Sequence, residues 1–184
     1  MQNLYKFDKL NFITAGMPLR TGKGSYPQAF DVLKEMALDG MELEFVHGVR
    51  MSDANRDYVK EQSNNFVITA HGPFYINLNS KEEEKIDASV QRIIDTAAVA
   101  HEAGAFSITY HAAFYMGKNK EEVFNQVKTQ TKRIIDILEN ENINVWIRPE
   151  TTGKATQWGD IDEIINLSKE FEQVLPCVDF SHLH

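Results

Sequence analysis

Segments with apolar residues at helical spacing alternate with short apolar runs along the whole chain. The helical segments are sharply punctuated. Ser25-Tyr26-Pro27-Gln28 has the form of a capping box and opens a helix expected to end near Gly40. Ser52 is placed as the N-cap of a second helix, and Ser80-Lys81-Glu82-Glu83 reads as a capping box for a third. Behind that box Ile86, Val90, Ile93, Ile94 and Ala97 hold one face until Gly104 supplies the stop. Val123, Val127, Ile134 and Leu138 define a fourth helix. Asp160-Ile161-Asp162-Glu163 opens a fifth, whose face continues through Ile164, Ile165 and Ser168.

Between the helices lie apolar runs of strand length, at residues 11–15, 41–46, 66–70, 106–110, 144–147 and 174–178. Strand then helix, repeated five times before a sixth strand, predicts a parallel sheet covered by helices. A complete eightfold barrel of ~250 residues spends ~31 on each unit, so 184 residues correspond to about six units. No Gly-x-Gly-x-x-Gly turn follows the first strand, which disfavours a dinucleotide-binding open sheet. The expectation is an α/β chain forming one incomplete TIM-type (β/α)8 barrel domain over residues 1–184, without strands seven and eight.

Parity along the strands points to chemistry. Residues two apart share a face of a strand. Val67, Thr69 and His71 share one, as do Ser107, Thr109 and His111. Trp146, Arg148 and Glu150 follow, then Leu175, Cys177 and Asp179, with His182 three residues on. The catalytic groups of a barrel sit at this C-terminal mouth. A lone His at a strand end is more often a hydrogen-bonded structural residue, and a lone carboxylate a helix cap. Five such groups on four consecutive strand ends read as a metal or substrate site. Imidazole with carboxylate suits zinc and similar ions. Glu150 can bridge two ions, and a metal-bound water ionises near neutral pH.

Other polar residues read as structural. Glu42 and Glu44 share a face of the second strand and Arg148 points inward, which predicts an internal ion pair. His101 lies within the third helix, and Cys177 is expected to be a small buried side chain. Lys118, Lys120 and the 81–85 charge run read as solvated helix ends. His47 and His184 carry no assignment, and no Ser–His–Asp or Cys–His arrangement is present.

Composition narrows the classes. Apolar residues make up 42% and charged residues 25%, ordinary values for a globular protein. No run reaches the ~20 apolar residues that span a bilayer, so no membrane partner is expected. The first eight residues lack the apolar core of a signal peptide, which predicts a cytoplasmic location. A single cysteine precludes an intramolecular disulfide and leaves His, Asp and Glu to build any metal site. The formal net charge of −8 argues against broad electrostatic binding to DNA. Bound divalent cations would reverse the sign locally, so nucleic acid stays among the candidates.

Four segments resemble endonuclease IV, the zinc-dependent apurinic/apyrimidinic endonucleases. They are Ala70-His71-Gly72-Pro73-Phe74-Tyr75-Ile76-Asn77-Leu78, Thr109-Tyr110-His111, Arg148-Pro149-Glu150-Thr151 and Val178-Asp179-Phe180-Ser181-His182. The likeness is greatest to archaeal-type members, which Thr14-Ala15-Gly16 and residues 41–46 also fit. The resemblance implies up to three Zn2+ ions, with Mn2+ as an alternative, and cleavage of DNA on the 5′ side of an abasic sugar. It implies that His71 and His111 bind one ion, that Glu150 is the catalytic bridge to a second held by Asp179, and that His182 binds the third. Phe74 and Tyr75 would contact the DNA and hold the abasic nucleotide out of the stack. Two departures stand against it. His111-Ala112-Ala113 replaces the family's His-Pro-Gly, and the family's remaining ligands come from strands seven and eight.

Two other classes fit the same strands. A metal-dependent sugar isomerase or epimerase of the xylose isomerase-like superfamily also places Glu and Asp on strands five and six, although it has less use for His71 and His111. A catalytically inactive fragment or metal-binding module would hold an ion and turn over nothing.

Overall fold

The computed structural model describes residues 7–183. In chain order its elements are β1 (Ile13–Thr14), α1 (Tyr26–Glu35), β2 (Gly40–Glu44), α2 (Asp53–Gln62), β3 (Val67–His71) and α3 (Glu83–Glu102). They continue with β4 (Ser107–Tyr110), β5 (Ala113–Phe114), α4 (Lys120–Asn140), β6 (Trp146–Pro149), β7 (Gln157–Trp158) and α5 (Ile161–Glu170). Five strands form one parallel sheet in the order β1-β2-β3-β4-β6, and β5 and β7 form a separate antiparallel ribbon. Each neighbouring pair in the sheet is joined through a helix, the α/β arrangement that the alternating pattern predicts. The strands described do not close a barrel.

Strand parity sorts the core. Met41, Leu43, Ile68, Ala70, Ile108, Tyr110 and Ile147 are fully buried beneath the helices. There they meet Phe30 and Leu33 of α1, Val59 of α2, Ile93 of α3, and Val127, Ile134 and Leu138 of α4. Each such aliphatic side chain contributes roughly 1.5–3 kcal/mol by leaving water. The opposite face carries the polar set. Glu42 pairs in register with Thr69 and Thr69 with Ser107, while His71 pairs with Thr109 and Thr109 with Arg148.

Several local expectations are corrected. The first helix ends at Glu35 rather than near Gly40, because Ala37 turns into the left-handed region (φ 53°) and the Leu38 N–H closes onto the Leu33 carbonyl at 3.0 Å. Gly40 instead begins β2, where a Cβ would lie 1.8 Å from the Val67 carbonyl oxygen. The third helix starts at Glu83 with Glu82 as its N-cap, so no capping box forms at Ser80, whose hydroxyl only accepts from the Glu82 N–H at 3.4 Å. No ion pair joins Glu42 to Arg148 among the described residues. Glu42 accepts from Thr69 at 3.1 Å, and Arg148 donates to the Pro176 carbonyl at 3.2 and 3.3 Å.

The sixth strand is reduced to two isolated bridges, Ile147 to Val174 and Glu150 to Cys177. Its ladder is nearly complete: Ile147 donates to Gln173, Leu175 to Ile147, Cys177 to Pro149 and Thr151 to Cys177. The missing rung is the one that residue 149 would donate, and Pro149 has no N–H. One proline therefore splits the strand without displacing it. The caps at Ser52, Asn119 and Asp160 form as side-chain acceptors of helix N–H groups. Among the described residues no helix is long and apolar enough to cross a membrane. His184 and the first six residues lie outside the described residues.

Candidate metal centre and its cleft

His71 closes β3, His111 follows β4, Glu150 follows β6, and Asp179 and His182 follow the interrupted sixth strand. Because His71 is in register with Thr109, His111 reaches one pair further along the same face. The five side chains converge into two overlapping groups, His71–His111–Glu150 and Glu150–Asp179–His182, whose ligand atoms lie within 4.8 Å of one another. Glu150 belongs to both.

The contacts define protonation. His71 Nδ1 lies 2.8 Å from the Gly72 carbonyl, a partner only an N–H can approach, so in the neutral ring Nε2 carries the lone pair. That Nε2 faces Glu150 Oε2 at 3.1 Å. Burial opposes a charge on His71, but the Glu150 hydrogen bond, the Gly72 carbonyl and the charge of Glu42 outweigh it and raise the imidazole to about 9. His111 Nε2 stands 3.7 Å from the same carboxylate oxygen. Burial depresses His111 more than Glu150 lifts it, with His71 and His182 adding repulsion. His182 Nδ1 donates to the Thr151 carbonyl at 2.8 Å, beside Asp179 Oδ2 at 3.4 Å. Asp179 is held below the usual carboxylate range by the Ser181 hydroxyl and N–H, at 2.6 and 2.7 Å.

The donor set suits a divalent ion. Glu150 and Asp179 have no Lys or Arg within 4.0 Å among the described residues; the basic side chains that face them are imidazoles. The buried Nδ1 of His111 has no hydrogen-bond partner. Two carboxylates ringed by three imidazoles, with no Lys or Arg among them, form a donor set suited to a divalent ion.

A cleft of about 570 Å³ adjoins the cluster, lined by Phe74, His111, Phe114, Lys154, Gln157 and His182. Phe74 and Tyr75 are exposed and meet edge to face at 5.3 Å, with His47 edge-on to Phe74 at 5.7 Å and the Arg92 guanidinium 4.6 Å over Tyr75. The other wall is the β5–β7 ribbon, where Ala113 pairs with Trp158 and Phe114 with Gln157. Tyr115, just after β5, ties this wall to α5 through a hydrogen bond to the buried Glu163 at 2.7 Å. Two-residue strands leave no period to read, so the ribbon and the cleft position of Lys154 escape a pattern search. Lys120 pairs with Asp160 and Lys118 donates to Asn79, and both side chains remain exposed, the solvated positions that the charge pattern suggests. Cys177 is half-buried, and burial raises its thiol.

The xylose isomerase-like TIM barrel family matches residues 30–184. The chain belongs to this family. It is 45% identical over 175 residues to the uncharacterized protein MJ0133 of Methanocaldococcus jannaschii, covering 95% of this chain and 63% of that one. It thus spans under two thirds of that relative's length. Over 126 residues it is 24% identical to apurinic-apyrimidinic endonuclease 1 of Plasmodium falciparum, covering 64% of this chain and 20% of that protein. Solved structures of the same fold include a D-tagatose 3-epimerase-like protein (TM-score 0.73, 18% identity, covering 95% of this chain and 66% of that one). Endonuclease IV from Thermus thermophilus is another (TM-score 0.70, 17% identity, covering 94% and 64%).

Proposed function

We propose that this protein is a metal-dependent phosphodiesterase that cuts DNA on the 5′ side of abasic sites, with zinc as the working ion. The observation that carries the reading is the shared Glu150, which stands in two adjacent donor groups where a one-metal isomerase needs a single group. The 24% identity with a protein named as an apurinic-apyrimidinic endonuclease supports it. His71 and His111 would hold one ion, Asp179 and His182 would serve the second group, and Glu150 would bridge. When bound, such ions supply Lewis-acid polarisation of a phosphoryl oxygen and a lowered pKa for water.

The chain's own residues orient the substrate. Gly72 fixes the tautomer of His71 so that its Nε2 lone pair faces the centre. Ser181 keeps Asp179 ionised and aimed. Phe74 forms a wall against which an unstacked sugar or base can rest, braced from behind by His47 and Tyr75.

The rival reading is metal-dependent epimerisation of a sugar at the same Glu150 and Asp179. A duplex carrying one synthetic abasic site, incubated with Zn2+ or with EDTA, separates the two. The assay uses this chain and a form extended to the length of MJ0133. The expected result is chelator-sensitive nicking 5′ to the lesion, lost in Glu150→Gln. Metal bound with no nicking by either form would overturn the reading and send the search to ketose substrates.

A further inference from the structure

Residues 76–79 follow the aromatic pair Phe74 and Tyr75 but belong neither to the donor groups nor to the lining of the cleft. Ile76 and Leu78 are fully buried and root this segment in the core. The Asn77 N–H donates to the buried Ser89 hydroxyl of α3 at 3.0 Å, and the Leu78 carbonyl accepts from Gln126 of α4 at 3.4 Å. Two helices thus hold the segment in place. From that base it grips the chain beyond β4. The Leu78 N–H donates to the Ala112 carbonyl at 2.9 Å. Asn77 Oδ1 accepts from the Phe114 N–H at 3.2 Å and from the Asn79 N–H at 3.1 Å. Asn79, fully buried, donates from Nδ2 to the carbonyls of Phe114 and Tyr115 at 2.8 and 3.3 Å, and its Oδ1 accepts from Lys118 at 2.9 Å.

The residue that depends on this grip is His111. His71 and His182 are each oriented by a backbone carbonyl at Nδ1, from Gly72 and Thr151. His111 makes no hydrogen bond through either ring nitrogen among the described residues: its buried Nδ1 has no partner, and its Nε2 stands 3.7 Å from Glu150. A ligating imidazole is ordinarily aimed by a hydrogen bond from its other nitrogen. Without one, the place of the ring is set by the backbone that carries it, and the next residue along that backbone is the one Leu78 holds.

We propose that Asn77 and Asn79 are positioning residues for the metal centre, which fix residues 112–115 and thereby hold the His111 imidazole opposite His71 and Glu150. The inference rests on the reading of His71, His111 and Glu150 as an ion site and adds what aims its one unbraced donor. The two amides act differently. Asn77 serves through its oxygen, which accepts two N–H groups, so a carboxylate can take its place. Asn79 serves through both ends of its amide, and an aspartate there would turn an oxygen toward two carbonyls.

The test is a titration of the metal-free full chain with Co2+, followed by the visible absorption of the bound ion, beside thermal melts without metal. Asn77→Ala should weaken one equivalent of Co2+ by roughly 10–100-fold and alter its absorption, while leaving the other equivalent as it is. Asn77→Asp should bind as the parent does. Ser52→Ala removes the N-cap of α2, which holds no part of the segment; it should lower the melting temperature and leave Co2+ binding unaltered. Parent-like binding by a destabilised Asn77→Ala would make Asn77 a stabilising residue only and overturn the proposal. An equal loss of binding in Ser52→Ala would do the same, as would loss of an equivalent in Asn77→Asp, a result that counts even where the alanine variant does not fold. No Co2+ bound by the parent would overturn both the proposal and the ion site beneath it. Binding that depends on Asn77 without nicking at abasic sites would keep the positioning role and remove the endonuclease reading. Nicking with binding indifferent to Asn77 would do the reverse.

Discussion

Glu42 shows how a single side chain on the polar face of the sheet is tuned by its surroundings. It lies under the candidate centre, accepts one hydrogen bond from Thr69, and has no Lys or Arg against it among the described residues. Burial raises its pKa above the usual carboxylate value, and repulsion from Glu44 and Glu150 adds to this while His71 and Thr69 oppose it. The sign follows from proton linkage: the folded state binds this proton more tightly than the unfolded chain does. The resulting stability is therefore present below the ordinary value of 4.5 and declines as pH rises through the raised one. Glu42→Gln keeps an acceptor for Thr69 and removes the buried charge. The variant should be more stable than the parent at neutral pH and no more stable near pH ~4. Thermal melts of the metal-free protein at the two pH values check this, and a lower melting temperature for the variant at neutral pH would count against it.

At the scale of elements, the caps set where the chain can start a helix and where a loop must end. Asp160 accepts from the Glu163 N–H at 2.8 Å, and the Glu163 carboxylate accepts in return from the Asp160 N–H at 3.0 Å. The same Glu163 carboxylate takes the Gly159 N–H and, through Tyr115, anchors the ribbon wall of the cleft. Asp160→Ala should cost about 1 kcal/mol, the usual worth of an N-cap. Hydrogen exchange should show the loss first in α5 and the ribbon; loss spread evenly over the sheet would refute a local role. This box is legible in the sequence because a reciprocal cap uses residues three apart. So are five strands and the ligand candidates, since alternation places His71, His111 and Glu150 on one face wherever the exact strand ends fall. The false box at Ser80 has the same letters, but its helix begins only at Glu83. The ribbon cannot be read because its strands are two residues long and their pairing is decided by tertiary contacts. Parity turns Arg148 inward, yet its partner is a backbone carbonyl, which leaves no mark in the sequence.

The whole molecule supplies what no segment has, because residues from 71 to 182 meet only after the sheet has formed. An unfolded chain cannot gather His71, His111, Glu150, Asp179 and His182, so an ion that binds them binds the folded state alone. Zinc at one hundred times its dissociation constant should then stabilise the fold by about 2.7 kcal/mol. For a chain of this size that corresponds to a rise in melting temperature of roughly 5–11 °C. The variants separate two overlapping groups from one. Glu150→Gln removes the ligand common to both and should abolish most of the rise. Asp179→Asn touches only the second group and should leave a substantial part of it, with fewer equivalents bound in a metal titration. An undiminished rise in Glu150→Gln would place the ion elsewhere. Equal losses in the two variants would mean that the five side chains act as a single site, and the bridging role of Glu150 would fall with it.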